Sequence, residues 1–239
     1  MFLYYIRHGD PIYNPDSLTP LGQRQAEALG RRLALSGIDE IYASTSERAK
    51  LTAKPLSEIL KLEINELDWA NEKYAAPEFY TTKEDGTRGT WCFWDKETRE
   101  VFMSEEVRKL GREWYRHPFF KDDRYGEGIC RIQKEADAFL ESLGYKHDLE
   151  KSCYEELFES NKKVALFAHQ GFGMAFLSCI LDIPYPYYST HFDITTTGVT
   201  VIDFSKWREP VIPAVMTHSD VSHLYGEHIP LRYNSRGHI

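Results

Sequence analysis

The sequence is poor in the features that mark several common protein classes. It has only four cysteines, Cys92, Cys130, Cys153 and Cys179, far apart and with no CxxC pair. That spacing argues against a zinc site or a disulfide framework and fits a reduced, cytoplasmic compartment. No apolar run approaches the roughly 18 residues of a membrane-spanning helix. The start, MFLYYIRHGD, lacks the basic stretch and long apolar segment of a secretory signal, so a soluble protein is expected. Positive charge is also short: 29 lysines and arginines stand against 37 aspartates and glutamates, a formal net charge of −8. A chain so charged has no general attraction for nucleic acid or anionic membranes, and neither is expected as a partner. Any anionic ligand must be held by a local cluster of cations. There is no internal repeat and no low-complexity segment.

What is present is enough apolar material for a full core. At 239 residues and 42% hydrophobic, the chain suits one large α/β domain over residues 1–239, with an insertion. FLYYI (2–6) reads as a buried strand. LTPLGQRQAEALGRRLALSG (18–37) carries helix signals: Thr19 as N-cap, Pro20 at the first helical position, Leu29, Leu33 and Leu35 for packing, and Gly37 as the stop. A second strand is expected at 39–44, a second helix at 46–61 capped by Ser46 and disturbed at Pro55, and a short strand at 64–67. From about 74 to 127 the alternation gives way to aromatics beside charges, which reads as an inserted cap with its own small structure. Its rings Trp91, Phe93, Trp94, Trp114, Tyr115, Phe119 and Phe120 are expected to form a small core, and Arg88, Arg99, Arg112 and Arg116 to be solvated. Alternation resumes with helices near 128–144 and 149–160, a strand at 163–168, a helix at 172–182, and late strands at 198–204 and 211–216, ahead of a polar tail from Tyr225.

The βαβα order predicts a largely parallel sheet with helices on both faces, and such sheets bind ligands beyond the carboxyl ends of their strands. Arg7 and His8 follow the first strand, Arg48 the second, Glu72 the third, and His169 the strand at 163–168. Two arginines, two histidines and one carboxylate should therefore share one edge. Chemically, that set reads as a phosphoryl-transfer site without metal or other cofactor. A phosphate monoester carries about −1.5 to −2 charge, and forked arginine donors match its oxygens. A neutral histidine can attack phosphorus, while a carboxylic acid protonates the leaving alcohol.

The residues also resemble a known family. IRHGDPIYN (6–14), LTPLGQRQAEALGRRL (18–33), YASTSERAKLTA (42–53), NEKY (71–74), FAHQGFG (167–173) and HSDVSHL (218–224) look like the histidine phosphatase superfamily, in its phosphoglycerate mutase-like branch. The resemblance implies a three-layer α/β/α sandwich with a mostly parallel mixed sheet. It implies His8 as the nucleophile passing through a phosphohistidine, with Arg7, Arg48 and His169 completing the phosphate pocket. Glu72 matches the proton donor, Asn14 a polar residue beside the phosphate, and His218 and His223 a structural motif behind the pocket.

Three departures matter. Gln170 precedes Gly171 where many members have two glycines, which adds Gln170 as a substrate-binding candidate. Ala75 replaces a glycine after the acid motif, and the tryptophan and acidic pair that usually follow are missing, so Glu66 and Glu78 stand as alternative acids. The expected activity is a metal-independent phosphatase for a small phosphorylated metabolite. A mutase returning the phosphoryl group to its substrate, and a catalytically silent phosphate-sensing protein, are the alternatives. A homodimer is compatible with the sequence.

Overall fold

The computed structural model describes residues 1–205, 209–231 and 233, so part of the polar tail lies outside the described residues. In chain order the elements are β1 (Phe2–Arg7), β2 (Pro11–Tyr13), β3 (Asp16–Leu18), α1 (Pro20–Ala34), β4 (Glu40–Ser44), α2 (Glu47–Leu60), β5 (Ile64–Leu67), α3 (Glu72–Phe79), β6 (Tyr80–Thr82) and β7 (Arg88–Trp91). They continue with α4 (Lys96–Phe102), α5 (Glu105–Leu110), α6 (Arg124–Ser142), β8 (Tyr145–Asp148), β9 (Cys153–Glu156), β10 (Lys163–Ala168), α7 (Gln170–Ile180), α8 (Tyr185–His191), β11 (Val199–Asp203), β12 (Ala214–Asp220) and α9 (Ser222–Gly226). No helix among the described residues is long and apolar enough to cross a membrane.

The chain separates into two compact units. The first comprises residues 1–71, 159–170 and 194–239 and holds a six-stranded sheet in the order β12-β11-β1-β10-β4-β5. β1, β10, β4 and β5 run parallel, whereas β11 is antiparallel to β1 and β12 to β11. The sheet is thus mixed and mostly parallel with flanking helices, an α/β fold. β1 and β10 are buried along nearly their whole length, as the apolar runs FLYYI and VALFA require of central strands.

α1 begins as its sequence dictates. The Thr19 side chain accepts from Gly22 N–H, and Pro20 occupies the first turn, where its missing N–H costs nothing. Leu29 and Leu33 join Ile6, Ile41, Leu56 and Phe167 in the core of this unit, each contributing about 1.5–3 kcal/mol by burial. Leu35, expected to pack, is 91% exposed: it is the residue that leaves the helix, beyond the apolar stripe. α2 accommodates Pro55 inside the helix and ends on Lys61 in the left-handed region.

The second unit comprises residues 72–158 and 171–193 and contains the whole stretch at 74–127. Of the rings expected to form a core, Trp91, Phe93, Trp114 and Phe120 are buried, joined by Phe102 and Tyr185, whereas Trp94, Tyr115 and Phe119 are only half-buried. Trp114 stacks on Tyr185 at 5.3 Å and meets Phe102 and Phe120 edge to face. The helix expected at 149–160 is absent. That region instead belongs to the antiparallel hairpin β8–β9, with Tyr145 and Tyr154 buried and Ser152 at a φ of 52° in the turn. The glutamates and lysines there favour a helix locally, but pairing and burial of the alternate tyrosines override that preference. Arg112 is not simply solvated either. It donates to the carbonyl of Leu149, to Ser152 Oγ and to Asp182.

Candidate active site

The first unit brings Arg7, His8, Arg48 and His169 together. Arg7 ends β1, His8 follows it, Arg48 lies in the first turn of α2, and His169 follows β10. His8 and His169 are almost fully buried, with ring centroids 5.2 Å apart at 61°. His8 Nδ1 lies 2.7 Å from the Gly9 carbonyl, which can only accept. Nδ1 therefore carries the proton, and Nε2 holds the lone pair in the neutral ring. Burial first, and then the positive charges of Arg7 and Arg48, hold the His8 pKa well below the ordinary histidine value.

His169 is fixed by the same logic. Arg48 Nη2 donates to His169 Nδ1 at 3.1 Å, so Nε2 carries the proton and donates to Ser44 Oγ at 2.8 Å. Burial, then His8, Arg48 and Arg7, push its pKa well below the ordinary value as well. Tyr5 Oη donates to the His169 carbonyl at 2.6 Å. Arg7 Nη1 donates to the Ile194 carbonyl at 2.6 Å, and Arg48 Nη1 to Asp16 Oδ1 at 2.8 Å, so both guanidinium groups are aimed by their neighbours.

The loop carrying His8 is anchored by main chain as much as by side chains. Gly9 N–H donates to Thr52 Oγ1 at 2.9 Å, and that hydroxyl donates to the Arg48 carbonyl at 2.7 Å. A Cβ on Gly9 would lie 2.8 Å from the Gly22 carbonyl oxygen, and one on Gly22 would lie 2.2 Å from the Asp10 carbonyl oxygen. The glycines of RHG and LTPLG thus interlock, which explains why two motifs so far from the chemistry of a side chain both need glycine. Behind the pair, Thr197 N–H donates to the Arg7 and His8 carbonyls at 3.1 and 3.3 Å. His223 Nε2–H donates to Thr197 Oγ1 at 3.0 Å, with Arg32 donating to its Nδ1 at 3.3 Å. Burial and the Arg32 charge push the His223 pKa down to about 4, so it supports the site as a neutral ring.

Asn14 stands exposed in the turn between β2 and β3, and among the described residues no hydrogen bond joins it to the cluster. Gln170, 4% exposed, is the first residue of α7. Glu72 opens α3 in the second unit, where its Oε1 accepts the Gly171 N–H at 2.9 Å. The alternative acids are occupied: Glu78 takes a two-pronged bond from Arg131 at 2.7 and 2.6 Å, and Glu66 pairs with Lys50 at the surface. Sequence reasoning missed Tyr5, Ser44, Thr52, Asp16 and Thr197. Ser44 and Thr52 lay inside YASTSERAKLTA, where only the arginine was read; nothing local marked Thr197.

Two buried imidazoles and two arginines thus stand together at the carboxyl ends of parallel strands, at the edge where α/β sheets bind ligands. The chain belongs to the histidine phosphatase superfamily (branch 1), whose sequence pattern matches residues 3–212. Among curated proteins it is similar to phosphoserine phosphatase 1 of Hydrogenobacter thermophilus, 24% identical over 157 residues. That match covers 61% of this chain and 65% of the relative's length. Among solved structures, a phosphoserine phosphatase variant from Entamoeba histolytica bound to phosphoserine superposes with a TM-score of 0.61 at 20% identity, covering 93% of this chain and 98% of that one. A mycobacterial glucosyl-3-phosphoglycerate phosphatase with inorganic phosphate gives 0.56 at 17% identity, covering 93% and 98%. At those identities the likeness is one of fold.

Proposed function

We propose that the protein is a phosphomonoesterase for a small phosphorylated metabolite, working through a phosphohistidine on His8. The observation that carries this reading is the state of His8: buried, kept neutral by burial and two arginines, and bonded through Nδ1–H so that Nε2 is the nucleophilic atom. Arg7 and Arg48 supply forked donors for the phosphoryl oxygens, with His169, Asn14 and Gln170 as further binding groups. His8 Nε2 attacks phosphorus in line, the ester P–O bond breaks, and the leaving oxygen takes a proton from Glu72. The Glu72 carboxylate then accepts a proton from water as that water attacks the phosphohistidine, releasing phosphate and restoring both residues. No step is assigned to a metal or another cofactor.

The relatives supply the first substrates to try, phosphoserine and a phosphoglycerate ester, beside sugar phosphates and nucleotides. Phosphate release from such a panel, with excess chelator present, is expected for the wild type; an isomerised substrate in place of free phosphate would point to phosphoryl transfer instead. His8→Ala should lose turnover by on the order of 10⁴-fold or more and lose acid-labile phosphoenzyme labelling. Full activity in that variant would overturn the mechanism.

A further inference from the structure

A column of stacked side chains in the second unit ends on the backbone that holds Glu72. The Arg88 guanidinium lies 3.7 Å above the Tyr80 ring, Tyr80 stacks on Trp91 at 4.6 Å and 29°, and Trp91 stacks on Phe93 at 5.6 Å and 23°. Tyr80 and Trp91 face each other across the β6–β7 hairpin. Trp91 is 6% exposed, and its six-membered ring is pressed onto Gly171: a Cβ at 171 would lie 2.1, 2.3 and 2.5 Å from Cη2, Cζ2 and Cζ3. No real Cβ contact is that close, so ring and backbone occupy the space that any other residue would need.

The same Gly171 donates its N–H to Glu72 Oε1 at 2.9 Å. In the protonated acid the oxygen that accepts this bond is the carbonyl oxygen, and the proton sits on Oε2. The peptide at Gly171 therefore sets which oxygen of Glu72 can give up a proton and in which direction.

We propose that Trp91 is a positioning residue for proton transfer: by packing on Gly171 it fixes the N–H that orients the Glu72 carboxyl. The inference rests on the reading of Glu72 as proton donor. A displaced acid matters in proportion to how much the leaving group needs its proton, because an alkoxide needs protonation to depart and a nitrophenolate hardly does. Trp91 thus acts on one class of ester and not the other, which a residue that merely stabilises the unit does not do.

The test compares an alkyl ester, phosphoserine, with p-nitrophenyl phosphate for wild type, Glu72→Gln, Trp91→Ala, Trp91→Phe, Gly171→Ala and the Gly171→Ala/Trp91→Ala double variant. Glu72→Gln should lose on the order of 10²-fold or more in kcat on the alkyl ester and much less on the nitrophenyl ester. Trp91→Ala should show the same selectivity at roughly 10–100-fold, with Trp91→Phe between it and wild type. Gly171→Ala should be defective while Trp91 is present, yet add little once the ring is gone, since both changes act on one contact. The readout is the ratio of two rates in one sample, so a reduced folded fraction does not alter it. Equal losses on both esters for the Trp91 variants, beside a selective Glu72→Gln, would overturn the role of Trp91 alone. An unaffected Glu72→Gln would overturn the reading of Glu72 itself.

Discussion

The two units each bury an imidazole and hold it in opposite states. His8 in the first unit faces Arg7 and Arg48, and burial and cations together keep it neutral. His147 in the second lies between two carboxylates, Nδ1 at 2.8 Å from Asp137 and Nε2 at 3.0 Å from Asp182, and stacks on Tyr154 at 4.1 Å. Burial opposes its charge, but the bonds to Asp137 and Asp182 outweigh that and raise its pKa to about 9. Asp182 is also paired with Arg112, so charges of both signs meet within one cluster that ties β8, α6 and the segment after α7 together. The comparison teaches that burial alone does not decide a histidine's state; the sign of its nearest partners does. In one unit that leaves a ring with a free lone pair, and in the other a pinned cation.

The largest expected effect comes from altering the first environment. On the proposed mechanism Arg48→Met removes a donor to the phosphoryl group and should cost on the order of 10²–10³-fold in kcat/KM. It also removes a cation that disfavours protonated His8, so the acid limb of the pH–rate profile should move to higher pH. An acid limb that stays in place would break the electrostatic account of His8.

A smaller effect separates the units by the sign of their pH dependence. His147 has a raised folded-state pKa, so its contribution is complete below the unfolded value of about 6.5 and disappears as pH rises toward about 9. His8, His169 and His223 have depressed values, so their contribution weakens as pH falls below about 6.5. Asp137→Asn should lower stability near neutral pH by roughly 1–3 kcal/mol, and the loss on the basic side, which begins at the unfolded-state value in both proteins, should be complete at lower pH in the variant. Thermal unfolding across pH 5 to 10 checks this, and an unchanged basic limb in the variant would count against a charged His147.

The smallest effect tests the choice of acid. Glu66 sits half-exposed beside Lys50, a surface pair worth about 0–1 kcal/mol. Glu66→Gln should therefore leave turnover of phosphoserine within about twofold, and a large loss there would reopen the identity of the proton donor.

Much of this was legible because its causes are local. Thr19 and Pro20 announce α1, the apolar runs announce β1 and β10, and the histidines directly after β1 and β10 fall at those strands' carboxyl ends by topology alone. The β8–β9 hairpin was not legible, because its charged residues favour a helix until Tyr145 and Tyr154 find partners across the turn. Nor was Leu35, one residue past the end of its stripe. Ser44, Thr52 and Thr197 hold the candidate site through bonds to groups distant in sequence, and a short hydroxyl side chain carries no local mark of such a partner.

The Gly9–Gly22 pair and Gly171 differ in whether damage to them can be repaired. Gly9 and Gly22 are crowded by carbonyl oxygens, which every residue type possesses. No second substitution can make room there, and a screen for suppressors of Gly22→Ala should return only reversion. Gly171 is crowded by the ring of Trp91, a side chain that can be exchanged for a smaller one. The interlock of Gly9 and Gly22 is thus closed to repair by a second substitution, while the contact on Gly171 admits paired change.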